Sequence, residues 1–294
     1  CGSERLTKGF SLTPTPPANA FVSKENLKTP QPTSPLKLYF CGNCSHLQLL
    51  DVINPKDLFR SYIYVSSTSP NFVRHFKDYA NTCIRRFRLK AGDTTIDIGS
   101  NDGVFLKFFQ RKRLNVLGID PAQSIANKAN NNGIETWPEF FDQKCADRII
   151  KQKGLVSLVT ANNVFAHIDD LSGIATSIRS LLKPDGVFVF EVSYLVDIYE
   201  KTLFDTIYHE HLSYHSVQPL ATFFKSKNME LFCAERIPSH GGSLRGMVQI
   251  AGGPHKSDGS VEALIKYEKK LGIDKLKTWD TFSRKINNHR DILV

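Results

Sequence analysis

No stretch of the 294-residue sequence approaches the roughly 20 consecutive apolar residues that a membrane-crossing helix needs. The longest apolar run, near 186–190, is strand-sized. A charged leader followed by an apolar core is also missing, so nothing reads as a secretory signal. The sequence opens on Cys1 rather than Met, and Val294 falls within a polar helical pattern. We therefore expect the start, and the end as well, to be cut from a longer chain. Six cysteines without a signal argue against a disulfide framework and for a reducing, cytoplasmic setting. Cys83, Cys145 and Cys233 stand alone in apolar or helical contexts and are expected to be buried thiols. Internal repeats and low-complexity tracts are absent.

What is present is globular in character: 41% hydrophobic and 23% charged residues, enough to bury a core. Lys and Arg number 38 against 29 Asp and Glu, a formal charge of +9 that favours anionic partners: phosphorylated ligands, nucleic acid or a membrane surface. The basic runs "CIRRFRLK" and "KFFQRKR" lack the aromatic platform of single-strand binders and read as solvated helix faces. No nucleic-acid or membrane partner is expected.

Residues 1–70 are rich in Pro, Thr and Ser with short extended runs, the pattern of a small loop-and-strand module. Over 71–252, helical stretches alternate with apolar strands at 94–98, 115–119, 156–160 and 186–192, which predicts a parallel α/β sheet. Runs at 230–237 and 243–250, joined by "PSHGG", could close it as an antiparallel pair. Residues 253–294, with Lys and Glu at helical spacing, read as a solvated helix leading into a further domain that is largely missing.

"TTIDIGSNDGVFLKFF" is a buried strand, a glycine turn and a helix. Gly99 and Gly103 permit a tight turn, and Asp120, about 20 residues beyond Gly99, sits where a carboxylate reaches ribose hydroxyls. A dinucleotide loop needs three glycines in GxGxxG. Here Asn101 and acidic Asp102 intervene, which favours a ligand without pyrophosphate, S-adenosylmethionine (SAM), over NAD; an ordinary capped βα turn is the bland alternative. Asp97 at the strand end completes this group. Asn162, Asn163 and His167, after the fourth strand, are expected at the carboxyl edge of the sheet.

"FDTIYHEHLSYHS" brings His209, Glu210, His211 and His215 together with Tyr208 and Tyr214. A polar surface loop, a metal site through the HxH pair His209 and His211, and acid–base catalysis are all open. "PSHGGSLRG" offers His240, Ser243 and Arg245 as either a diphosphate site or a hairpin turn.

Eight segments in order, "CGNCSHLQL", "YIYVSSTS", "DIGSNDGVFL", "GIDPA", "NNVFAHIDDL", "PDGVFVFEVSYL", "FDTIYHEHLSYHS" and "SHGGSLR", resemble the SAM-dependent sugar C-methyltransferases that act on nucleotide-linked 4-keto-deoxysugars. The resemblance covers the chain from Cys1 to about Gly253. It implies an N-terminal zinc-binding module, a central Rossmann-like SAM-binding methyltransferase domain and a C-terminal domain. It also implies a structural zinc held by two CxxC pairs: Cys41 and Cys44 match the second pair, Cys1 the second member of the first, and the fourth ligand would lie upstream. In the resemblance His211 is the base, with Tyr208 and Glu210 beside it, His167 nearby, and Tyr64 (favoured over Tyr62) lining the site. The C4 ketone acidifies C3, His211 forms an enolate, Glu210 orients His211, and the enolate carbon takes the methyl. The other readings are SAM-dependent O- or N-methylation of another small molecule, and a non-catalytic binder of nucleotide sugars or nucleic acid.

Overall fold

The computed structural model describes residues 1–60 and 62–293. Strands β1 (Leu6–Thr15), β2 (Ser34–Cys41) and β3 (Leu47–Leu49) form an antiparallel sheet. The two-residue alternation decides its faces: β2 buries Leu36, Leu38 and Phe40 and turns Lys37 to solvent. A fourth strand arrives from far along the chain. β9 (Ser213–Tyr214) pairs with β3, Tyr214 opposite Leu47, and ties the N-terminal module to the segment that carries His211.

The second sheet has seven strands. β4 (Thr94–Ile98), β5 (Asn115–Ile119), β6 (Thr136–Trp137), β7 (Val156–Asn162) and β8 (Leu182–Ser193) run parallel, and β10 (Met229–Ile237) and β11 (Ser243–Ile250) add an antiparallel edge, in the order β10-β11-β8-β7-β4-β5-β6. This is the expected Rossmann-like sheet with its antiparallel closure. Along β8, Val187 and Val189 face a core built on α2 (Pro70–Arg86) and α3 (Leu106–Gln110), while Phe188 and Phe190 meet Phe165 and, from α8 (Val217–Ser226), Phe224 on the other face. α4 (Gln123–Asn131), α5 (Gln143–Lys153) and α6 (Leu171–Leu181) complete the crossovers. β4 is flanked by β5 and β7, so the chain winds outward in both directions from it and opens a crevice at its carboxyl end.

The C-terminal stretch departs from the solvated helix expected for it. α9 (Ser260–Leu271) packs on β10 and α8, and α10 (Leu276–Leu293) lies against β1, with Phe282 meeting Phe10 edge-on at 5.5 Å. Trp279, Phe282 and Ile286 recur at helical spacing and are buried, a stripe that the surrounding lysines obscure. Among the described residues no helix is long and apolar enough to cross a membrane.

Candidate active site

The crevice widens into a cavity of about 1180 Å³. That is large for a single small-molecule site and matches room for two ligands. One part is walled by the carboxyl ends of β4 and β7, the other by α1 (Pro55–Phe59), Tyr62, Tyr64, Phe72, His167, Tyr208, His211 and His240.

At the first βα turn, Gly99, Ser100 and Asn101 form the wall. Gly99 (φ 68°) passes so close to Val164 that a side chain would collide at 2.3 Å, which fixes glycine there. Gly103 instead packs on Ile134, and neither it nor Asp102 lines the cavity, so the expected cofactor contacts of these two are not formed by the wall. Asp120 accepts from the Asn101 and Ala122 amides (2.8 and 2.9 Å) and faces the cavity with lone pairs to spare. Asp97 accepts from the Thr160 hydroxyl at 2.6 Å, and burial pushes its carboxyl up to about 7. Asn162 and Asn163 stand at the carboxyl edge as expected, and Asn162 Oδ1 is buried without a partner. An unpaired acceptor, two carboxyls and a glycine-tight turn fit an adenosyl amino-acid ligand better than a pyrophosphate, because the Asp120 carboxylate bonded to the turn would repel phosphate.

Asn101 itself points elsewhere. Its Oδ1 accepts the Ser66 amide (2.9 Å) and its Nδ2 donates to the Tyr64 carbonyl (2.9 Å).

On the opposite wall, a carbonyl can only accept, so His211 Nδ1 carries the proton it donates to Thr206 O at 2.7 Å. Nε2 is thereby left with its lone pair, towards which the Tyr208 hydroxyl is placed at 3.1 Å. Burial holds His211 down at about 4, and burial with His211 beside it holds His167 well below the usual histidine range, so both rings are neutral at ordinary pH. His167 stacks on Phe59 (5.5 Å, 14°), its ring 5.0 Å from that of His211, and its buried Nε2 has no partner. Tyr62 and Tyr64 both line the cavity; Tyr64 is 42% exposed, whereas burial and then Glu210 push the Tyr62 hydroxyl up to about 12.

Four expectations need correction. Glu210 does not orient His211; it makes no hydrogen bond to that ring, and the Thr206 carbonyl performs the task. The HxH metal pair does not form, because His209 Nε2 donates to Ser34 O (3.0 Å) while His211 turns into the cavity. Arg245 offers no anion site: strand register sets it opposite Glu191 and Glu235, its guanidinium bonds Glu191 Oε1 at 2.5–2.7 Å, and it covers the Tyr79 ring at 3.8 Å. Ser243 is fully buried and donates to Ser239 O. Of the "SHGGSLR" group only His240, left-handed at φ 48°, faces the cavity. Phe59 and Phe72 lie outside every motif, and Thr206, although inside "FDTIYHEHLSYHS", acts through its main-chain carbonyl, so none of the three is readable as a site residue from sequence.

Cys1, Cys41 and Cys44 converge, their sulfurs within 4.8 Å of one another and Cys1 Sγ 3.7 Å from Cys41 Sγ. Backbone amides around Cys44 and Asn43 are directed at the Cys41 sulfur, and that of His46 at Cys44. Three converging sulfurs, two of them met by amides in a CxxC turn, fit three of the four positions around a tetrahedral zinc. Cys83, Cys145 and Cys233 are buried free thiols.

Fold and site together define a Rossmann-like methyltransferase, and comparison with known proteins agrees: a methyltransferase domain family matches residues 72–233, and the chain belongs to that family. A "Putative zinc binding domain" family matches residues 1–59 and a C-methyltransferase C-terminal domain family matches 238–294. The chain is 33% identical to the C-methyltransferase NovU of Streptomyces niveus over 93% of its own length and 65% of that protein's. It is 22% identical to the ubiquinone biosynthesis O-methyltransferase of Shewanella pealeana over 50% of this chain and 66% of that one. An S-adenosylmethionine-dependent methyltransferase from Clostridium acetobutylicum superposes with TM-score 0.47 at 13% identity, covering 61% of this chain and 92% of that one.

Proposed function

We propose that the chain is a SAM-dependent C-methyltransferase that methylates C3 of a nucleotide-linked 4-keto-deoxysugar through an enolate. The observation that carries this reading is a neutral imidazole, His211, with its tautomer fixed by Thr206 O and its basic Nε2 held in the same cavity as the cofactor turn. A methyl acceptor that is already an oxygen or nitrogen nucleophile has less need of such a base. The 33% identity to a C-methyltransferase and the eight ordered segments support the carbon acceptor and the sugar.

Asp120 would hold the ribose hydroxyls, with Asp97, Gly99, Asn162 and Asn163 around the rest of the cofactor. Bound SAM supplies an electrophilic methyl group. His211 Nε2 takes the proton from C3, and the electron pair of that C–H bond passes into the enolate. Once Nε2 is protonated it no longer accepts from Tyr208, whose hydroxyl is then free to donate to the developing oxyanion; His167 Nε2 is a second group available to that oxygen. His240 closes the wall beside Phe72 (5.0 Å) and is the remaining candidate for contact with the sugar nucleotide. Zinc would be structural, bracing the sheet that pairs with β9.

The test is titration of SAM into the purified chain, followed by deuterium exchange at C3 of a dTDP-4-keto-deoxysugar with wild type and His211→Ala. Binding, with exchange lost in the variant, is the expected result. Binding without exchange in wild type would move the reading to O- or N-methylation, and no binding by folded protein would remove it.

A further inference from the structure

We propose that Asn101 is a positioning residue that couples the cofactor turn to the tyrosine strap of the substrate wall, and that its side chain is not a cofactor ligand. Asn101 has φ 52°, in the left-handed region where glycine is the easiest choice and asparagine the best-tolerated side chain. The side chain present there is buried and grips the strap twice, its Oδ1 also accepting the Asp102 amide within the turn (2.9 Å). Oδ1 accepts the Ser66 amide and Nδ2 donates to the Tyr64 carbonyl, so one amide group holds the backbone of the strap at two points two residues apart, as a neighbouring strand would. The Asn101 backbone amide meanwhile donates to Asp120, the carboxylate placed for the ribose.

One residue therefore faces both halves of the cavity, its main chain fixed by the cofactor side and its side chain gripping the strap. Tyr62, Tyr64 and Ser66 all line that cavity with Tyr208, and Tyr62 is close enough to help raise the Tyr208 hydroxyl, which extends the strap to the His211 segment. The strap is otherwise thinly held: Ile63 and Tyr64 are exposed, and the next firm element is α2, which starts at Pro70. Occupancy of the cofactor turn would then set the tyrosines for the sugar. This second step rests on the proposed function; the clamp itself does not.

Asn101→Gly suits the backbone and removes only the side chain. Hydrogen exchange on the full chain, SAM calorimetry and steady-state kinetics with a dTDP-4-keto-deoxysugar separate the possibilities. With two hydrogen bonds lost, the Ser66 amide should exchange ~10-fold faster or more, kcat/KM for the sugar should fall ~10- to 100-fold, and SAM affinity should stay within about threefold. Asn101→Asp, which keeps the Ser66 bond and loses the Tyr64 bond, should fall between. Unchanged protection at Ser66 in the glycine variant would overturn the clamp, and so would a loss of SAM affinity in step with turnover. If wild type neither exchanges C3 nor methylates the sugar, the functional reading falls, and the exchange of Ser66 still decides the clamp.

Discussion

Two polar clusters flank the cavity, and they treat charge in opposite ways. On the α2 side, Glu191 is buried between His75 (2.8 Å) and Arg245 (2.5 Å), and the two partners hold its carboxyl below the usual range against the pull of burial. The charged groups there are paired with one another, which closes the cluster to further charge, although the Tyr79 hydroxyl beneath Arg245 has no partner among the described residues. On the other side, His211 and His167 are half-buried and uncharged, and one ring nitrogen, His167 Nε2, has no partner among the described residues. A paired ion cluster holds strands together, whereas a neutral base with a free lone pair is poised to accept a proton. The open cluster lies in a segment that the sequence marks as polar, whereas Glu191 lies in an apolar strand.

The contrast can be broken most severely at the open cluster. His211→Asn should cut turnover by roughly 10²- to 10⁴-fold, the usual contribution of a general base, with melting temperature nearly unchanged. At the closed cluster the outcome should invert. Arg245→Ala leaves Glu191 buried with one partner fewer and should cost about 3–5 kcal/mol in denaturant unfolding, while Arg245→Leu combined with Glu191→Met should cost less than either single change. Acid sharpens the comparison further. Burial lowers His211 to about 4 and His215 to about 3, below the 6.5 of an unfolded histidine, so the unfolded chain takes up protons first as pH drops. Stability from these two rings is full above 6.5 and should be lost as pH falls from there towards 4 and then 3, a decline visible in melting temperature against pH. Turnover, which needs neutral His211, should hold from neutrality until pH approaches 4 or the fold gives way. The smallest effect is expected for Tyr208→Phe, which keeps the ring and removes the donor: roughly a tenfold loss in kcat from one hydrogen bond, with SAM affinity unchanged.

Features encoded locally were legible. The strand, glycine turn and helix around Gly99 are contiguous, so period and punctuation locate them, and Asp120 follows from strand spacing. The cysteines were readable from a CxxC turn. Features that depend on what lies opposite were not. Arg245 beside glycines looked like an anion fork, but register across β8 sets it against Glu191, a pairing that no window of sequence contains. Glu210 looked like the orienting group because it adjoins His211, whereas the partner is a main-chain carbonyl at Thr206, and a carbonyl has no residue identity to read. The burial of Trp279 and Phe282 was hidden for a similar reason: Phe282 meets Phe10 at the other end of the chain, and Trp279 meets Tyr199 far upstream.

The pairing of β9 with β3 carries a consequence for how the protein is made. Leu47 leaves the ribosome early, and Tyr214, the residue it must meet, emerges only after the parallel strands of the second sheet have been synthesised. The edge of β3 must wait through that interval with unpaired amides, as an edge to which another strand could bind. A nascent chain that lacks β9 cannot close this edge, so the wall that carries His211 is among the later parts assembled, and translation speed between those two strands becomes a variable in the yield of folded protein.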